Sequence, residues 1–181
     1  MYKRQVLGAA AYLAAKALTP PSQTGRSPSS IEKKARESAE ITSSKDSQGN
    51  TVYRRGNGKV VVLKGVTVRN TKGGNTISDI LTVSEAESKT VNVISGYRTQ
   101  AKQNLLHAAE PHLVPKISKH TTEVAVDLQI AGYSSKQTAH AAYNAGVFNR
   151  VSSYNNRNTA HVDYNTTKPQ GLYYHWEHQK Q

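Results

Sequence analysis

Three residues, His120, Asp127 and His161, have the side-chain types and the spacing of ligands for a catalytic zinc ion. His120 lies seven positions before Asp127 in the run SKHTTEVAVD of residues 118–127, and His161 begins a short His-x-Asp motif further along the chain. Two imidazoles and one carboxylate occupy three positions of a tetrahedral zinc site and leave the fourth for water, as hydrolytic zinc sites do. The pattern therefore indicates a metal centre.

Alternation of apolar and polar residues indicates the strands that carry these side chains. In residues 123–130 every second position is apolar: Val124, Val126, Leu128 and Ile130. Period-two alternation is typical of a strand with one buried face, so Asp127 projects from the other face. His161 and Asp163 likewise share one face of a predicted strand over residues 160–164. If the two strands are neighbours, these polar side chains line one surface, which the first histidine reaches from the preceding loop.

A third motif lies upstream, where residues 95–98 read Ser-Gly-Tyr-Arg and are followed by Gln103-Asn104. Together with Ser-x-His-x6-Asp and His-x-Asp, it resembles the zinc D,D-peptidases, a group that shares its fold with the Hedgehog signalling domain. The chain is most similar to the branch that ends in a His-x-Asp strand, which includes murein endopeptidases. The resemblance covers residues 76–176, a little over half of the chain, and rests on three motifs in the right order.

This resemblance implies a role for each motif residue. His120, Asp127 and His161 would be the zinc ligands, and Asp163 would be the general base. Arg98 would bind the carboxylate or carbonyl of the substrate. Further substrate contacts would come from Tyr97, Gln103 and Trp176.

Two positions depart from the family pattern. Glu123 replaces a glycine that relaxes the backbone beside the metal, and Asn158 stands where many members carry an acidic general base. An amide cannot accept a proton from water, so Asp163 is the candidate for that base. The alternative role of Asp163 is to hold a ligand histidine or the fold in place. If that carboxylate does not reach the water, the chain would bind zinc without being an efficient enzyme.

Composition bounds the class of partner. The 181-residue chain can form one core of ordinary size, and 24 Lys and Arg against 12 Asp and Glu give a net charge of +12. Such a charge favours acidic polymers, namely nucleic acid, anionic membranes or the bacterial cell wall. No specific nucleic acid is expected, because no binding signature accompanies the late tyrosines that could stack on bases. The absence of cysteine excludes disulfides and thiolate zinc sites.

The N-terminal half predicts several segments of different character. Residues 1–18 are positive and then Ala-rich, which indicates a secretory signal or an apolar helix that contacts a membrane, too short to span it. Residues 19–50 are predicted to be a flexible polar linker. Residues 51–70 contain β-rich runs around Gly56-Asn57-Gly58, a hairpin signal. They would either extend the sheet of the catalytic domain, residues 71–181, or form a small attachment module.

A first helix is predicted over residues 78–84 and the acidic residues that follow. Two more helices are predicted over 100–109 and 134–145, and a short strand over 90–94. Interleaved helices and strands without a phosphate-binding loop predict an α+β domain. This domain would contain a small antiparallel sheet flanked by helices, as the family resemblance also implies, with a flexible basic tail before it.

These observations lead to one expected function and two alternatives. The resemblance implies a zinc metallopeptidase that cleaves peptidoglycan peptides, as an endopeptidase or a D,D-carboxypeptidase. It would act in the cell envelope, the periplasm or outside the cell, or on a virion if the chain is a phage lytic enzyme. Anionic wall polymers would be further partners. The alternatives are a non-catalytic module that binds zinc or the cell wall, and a basic virion protein that is structural or binds nucleic acid.

Overall fold

The computed structural model describes residues 40–112, 114–122, 124–154, 157–165 and 171–174. These residues form a mixed α/β fold. Its strands are β1 (Thr42–Lys45), β2 (Thr51–Arg55), β3 (Gly58–Val62), β4 (Thr90–Ser95), β5 (Ala125–Ile130), β6 (Arg150–Ser153), β7 (Ala160–Asp163) and β8 (Gly171–Tyr174). Its helices are α1 (Thr76–Glu87), α2 (Gln100–Ala109), α3 (Lys119–Thr122) and α4 (Ser135–Asn144).

All eight strands belong to one sheet, in the order β1-β2-β3-β4-β5-β7-β6-β8. The pairings of β3 with β4 and of β6 with β8 are parallel, and the others are antiparallel. This sheet is larger than the small antiparallel sheet that the sequence predicted. The upstream hairpin joins it through the parallel pairing of β3 with β4, and β8 joins it through its parallel pairing with β6.

The predicted hairpin is present and extends the main sheet. Strands β2 and β3 pair antiparallel around Gly56 and Asn57, and Gly56 adopts a φ of 54°, which a residue without a Cβ reaches at little cost. Because β3 pairs with β4, the hairpin is continuous with the strands that carry the site. Residues 42–45, which were predicted to be linker, form the edge strand β1 instead. The β-rich residues 66–68 contribute only an isolated bridge between Thr67 and Tyr97.

The helices begin where capping side chains satisfy the first amide groups. Asn75 caps α1, and Thr99 caps α2. Ser134 and Gln137 form a reciprocal capping box at the start of α4, and Gly146 follows this helix with a φ of 69°. The predicted helices over 100–109 and 134–145 therefore agree with the structure to within a residue. The first helix is longer than predicted, because it starts at its cap.

Helices α1 and α4 contact each other and pack on the same face of the sheet. Valines from three adjacent strands, Val126, Val162 and Val151, are cross-strand neighbours on that face and belong to the buried core. Their sequence neighbours Asp127 and His161 must therefore project from the opposite face. The core thus fixes the surface on which the polar residues meet.

Within the described ranges, no helix combines the length and apolarity needed to span a bilayer. The predictions for residues 1–18, and for the linker up to residue 39, fall outside the described residues.

Candidate metal centre

Asp127 and His161 are directly opposite each other on two paired strands. Strands β5 and β7 pair antiparallel with Asp127 facing His161 and Ala125 facing Asp163. The Oδ1 atom of Asp127 lies 3.1 Å from Nδ1 of His161. The predicted adjacency of the two strands is therefore confirmed, and this register places the three polar side chains of the two motifs on one face.

His120 approaches from the single turn of helix α3, where the sequence predicted a loop. Its side chain is buried, with 2% of the residue exposed. Nδ1 of His120 lies 2.8 Å from the carbonyl oxygen of Gly96, and since a carbonyl oxygen only accepts, Nδ1 carries the proton. The backbone N–H of Arg98 in turn donates to the carbonyl of His120 at 3.0 Å. The Ser-Gly-Tyr-Arg segment therefore holds this histidine at both its ring and its backbone.

This tautomer leaves Nε2 of His120 with a lone pair that points into the site. Nε2 is buried without a hydrogen bond, and it lies 3.3 Å from Oδ1 of Asp127. Two buried acceptors that face each other are unfavourable unless a proton or a metal ion lies between them. One ligand atom from each of His120, Asp127 and His161 falls within 4.8 Å of the others. This buried group can hold a metal ion.

Asp163 lies behind His161 and has no exposed surface. Its Oδ2 atom lies 3.3 Å from Nε2 of His161, and its Oδ1 atom accepts the backbone N–H of Asn165 at 2.9 Å. Nε of Arg150 is 3.8 Å from Oδ2. A carboxylate that accepts from the distal nitrogen of a ligating histidine fixes the ring and its tautomer. Of the two roles expected for Asp163, the geometry thus favours holding the ligand histidine in place over acting as the general base.

The titration of these residues is coupled. Burial lowers the pKa of His161, but its hydrogen bonds with Asp127 and Asp163 outweigh burial and raise that pKa to about 9. Burial raises the pKa of Asp127, but its close contacts with the side chains of His120 and His161 hold that pKa well below its usual range. In the metal-free protein His161 is therefore an imidazolium between two carboxylates. Metal binding at Nδ1 must displace the proton of that nitrogen, while the Nε2–H of His161 continues to donate to Asp163.

Arg98 is oriented by side chains behind it. Its guanidinium donates to Oε1 of Gln103 at 3.1 Å and to Oγ of Ser95 at 3.2 Å. Gln103 is fully buried and donates to the carbonyl of Pro115 at 2.6 Å. Gln103, predicted to contact the substrate, therefore lies behind Arg98 and can act on a ligand only through it.

Close backbone packing explains the glycine of the Ser-Gly-Tyr-Arg motif. A Cβ on Gly96 would overlap the carbonyl oxygen of Thr67, which accepts the backbone N–H of Tyr97 at 2.8 Å. The Tyr97 ring is half-buried, and the guanidinium carbon of Arg69 lies 3.1 Å from its centroid. One face of the ring is thus covered, and Tyr97 joins the wall of the site beside Arg98.

Tyr154 is a site residue that the sequence did not single out. Its hydroxyl donates to Oδ1 of Asp127 at 3.3 Å, and its backbone N–H donates to Oγ of Ser135 at 2.7 Å. Burial, followed by the charge of Asp127, raises the pKa of Tyr154, so the phenol stays neutral and acts as a donor. Tyr154 follows Ser152, the cross-strand partner of His161, by two positions. Alternation would have placed it on the site face, had the pairing of β6 with β7 been known.

The remaining predicted positions have separate outcomes. Asn158 is exposed in the connection between β6 and β7, where the family would carry its acid. Glu123 and Trp176 fall outside the described residues, so their predicted roles stay predictions.

A scan against protein-family models finds no match, and comparisons with curated proteins and with solved structures find none. Any assignment to the zinc D,D-peptidases therefore depends on the three motifs and on the site geometry described above.

Proposed function

We propose that the protein is a zinc-dependent metallopeptidase that cleaves peptide bonds in bacterial peptidoglycan, as an endopeptidase or a D,D-carboxypeptidase. The observation that carries this proposal is the unbonded Nε2 of His120, buried beside Asp127 and His161. Three convergent donors of this kind are what a hydrolytic metal site needs, and Arg98 on the adjoining wall supplies a group that can orient a substrate.

The donor set favours zinc among the divalent metals. It consists of two imidazole nitrogens and one carboxylate oxygen, which suit zinc in a catalytic site, whereas magnesium and calcium prefer oxygen alone. When bound, zinc would polarise the scissile carbonyl and lower the pKa of a coordinated water to about 7.

The residues of the chain would supply orientation and charge. Arg98, fixed by Gln103 and Ser95, would bind a carboxylate or a carbonyl oxygen of the substrate in a defined direction. Asp163 would hold His161 in the tautomer that presents Nδ1. Tyr154 would present a neutral hydroxyl beside the reacting groups.

The net charge of +12 would concentrate the protein on the anionic bacterial wall. This fits the proposed substrate, and it fits action in the envelope, outside the cell, or on the virion of a phage that uses the protein for lysis.

The test is metal content and peptidoglycan digestion of the full chain, compared with His161→Ala and with the control His112→Ala. His112 is exposed and outside the metal group. We expect about one zinc per chain and release of soluble peptide fragments from purified peptidoglycan. Both should be lost in His161→Ala and kept in the control. A chain that binds no zinc, or that digests peptidoglycan equally well without His161, would refute the proposal.

A second candidate function is a non-catalytic module that binds zinc and the cell wall. It is favoured by the full burial of Asp163 and by the amide at Asn158, which together leave no accessible carboxylate at the predicted positions of the base. This candidate predicts zinc binding and sedimentation with peptidoglycan, without release of fragments. The same experiment therefore separates the two functions.

A further inference from the structure

The metal group lies at the edge of a groove of about 280 Å³. The described residues that line it are Gly65, Val66, Ile94, Ser95, Gly96, Tyr97, Arg98, Lys102, Leu106, Asp127, Arg157 and Thr159. Asp127 belongs both to this lining and to the metal group, and it connects the groove to the metal centre.

The charges along this groove are strongly unequal. Arg98, Lys102 and Arg157 bring three positive charges, whereas Asp127 is the sole carboxylate among the lining residues that the structure describes. A divalent metal on Asp127 would neutralise even that charge. In a partly enclosed groove such an excess attracts anionic ligands, because field lines are focused between walls of low dielectric.

The cations come from two separate segments of the chain. Arg98 directly precedes Thr99, the cap of α2, and Lys102 lies in the first turn of that helix, whereas Arg157 belongs to the connection between β6 and β7. Lys102 and Arg157 are exposed, so their charged groups reach solvent and can bind a ligand without first losing a buried partner. Arg157 also lies over the ring of Tyr154, 5.9 Å from its centroid, which places its charge next to the metal group.

Arg98 differs from the other two cations in being fixed. Among the described residues, its bonds to Gln103 and Ser95 use two of the five N–H donors that a guanidinium has. A planar fork held in this way suits a carboxylate, whereas mobile surface lysines bind any anion weakly.

We propose that this groove selects acidic peptides, with one substrate carboxylate bound by Arg98 and Lys102 and a second bound by Arg157. The inference rests on the proposed peptidase function and adds its substrate class. Stem peptides that keep the carboxylates of D-glutamate and of the C-terminus fit the groove, and amidated stem peptides do not.

The experiment compares two synthetic pentapeptides, L-Ala-γ-D-Glu-L-Lys-D-Ala-D-Ala and the same peptide with both carboxylates amidated. Apparent affinity for the zinc-loaded full chain is measured as KM where a peptide is cleaved and as Kd by calorimetry where it is not. The variants are Lys102→Gln and Arg157→Gln. Their matched controls are Lys136→Gln and Arg54→Gln, which change exposed residues outside the groove.

We expect each groove variant to weaken affinity for the acidic peptide about tenfold, because each removes one charge-assisted contact. Affinity for the amidated peptide, zinc content and the two controls should stay unchanged. Equal affinity for the two peptides, no binding of the acidic peptide, or unchanged affinity in both groove variants would overturn the inference. So would preferential binding of a single-stranded oligonucleotide that is lost in the same variants.

The two proposals fail differently. Binding that discriminates between the peptides without any cleavage would refute the peptidase and keep the acidic groove. Cleavage of both peptides with equal KM would keep the peptidase and refute the groove.

Discussion

Asp127 and His161 face each other across the pairing of β5 with β7, with Oδ1 and Nδ1 only 3.1 Å apart. Because side chains alternate along a strand, a slip of one residue in this pairing would move one of them into the core. The valines beside them, Val126 and Val162, are buried on the opposite face and hold the register. The metal centre therefore depends on core packing that it does not touch.

Replacing Asp163 should weaken metal binding before it affects chemistry. The carboxylate accepts from Nε2 of His161, so Asp163→Ala should lower zinc affinity by about 10- to 100-fold, as measured by competition with a chromogenic chelator. Asp163→Asn should lower it less, because its amide oxygen still accepts that proton. Circular dichroism must show both variants folded, since Arg150 loses a nearby charge.

A general base would respond in the opposite way. If Asp163 accepts the proton in catalysis, both variants should keep zinc affinity and lose kcat to a similar extent. That outcome would contradict the positioning role inferred from its burial.

Removing the hydroxyl of Tyr154 should loosen the carboxylate that it contacts. Tyr154→Phe deletes a donor to Asp127 and should lower zinc affinity about tenfold with little change in fold stability. Tyr143→Phe, at an exposed position of α4, is the matched control. Chelator competition on the two variants measures the effect. Equal affinities would mean that Tyr154 does not orient Asp127.

The metal-free protein should lose stability as the pH rises. Folding raises the pKa of His161 from 6.5 to about 9, so the folded state holds this proton more tightly than the unfolded state. The stabilisation is complete below the unfolded pKa and disappears as the pH rises through about 9. Urea unfolding in the presence of a chelator, followed between about pH 6 and about pH 9, should show this decline. His161→Ala should flatten it, and an unchanged slope would argue against the imidazolium.

The hairpin and α1 are joined by a buried ion pair. Nε of Arg55 lies 3.0 Å from Oε1 of Glu85, with side-chain exposures of 2% and 11%. The same guanidinium donates to Ser78 and Thr82. Arg55→Ala leaves the largely buried carboxylate of Glu85 without its partner and should lower the free energy of unfolding by about 3 kcal/mol.

Chemical denaturation measures that change, with the neighbouring Arg54→Ala as the control. Arg54 is exposed, so its loss should cost no more than about 0.5 kcal/mol. A similar small cost for Arg55 would mean that the hairpin does not depend on this pair.

Elements that depend on neighbouring residues were predictable from the sequence. The helices over residues 100–109 and 134–145 and the turn at Gly56-Asn57 all agree with the structure. Capping, turn geometry and period-two alternation are decided within a few residues, so each can be read locally.

The size of the sheet could not be obtained in this way. The parallel pairings of β3 with β4 and of β6 with β8 join segments that are distant along the chain. Nothing in a single strand specifies its partner, which explains why a small antiparallel sheet was expected and an eight-stranded mixed sheet was found.

The sequence by itself determined which residues could bind a metal, because the side-chain types and spacing of His120, Asp127 and His161 are visible without a structure. Only the tertiary structure decided how their neighbours act. It buried Asp163 behind a histidine, put Gln103 behind Arg98, and brought Tyr154 to the metal group. Burial and hydrogen-bond partners arise from contacts between distant segments, and those contacts exist only once the strands have paired in register.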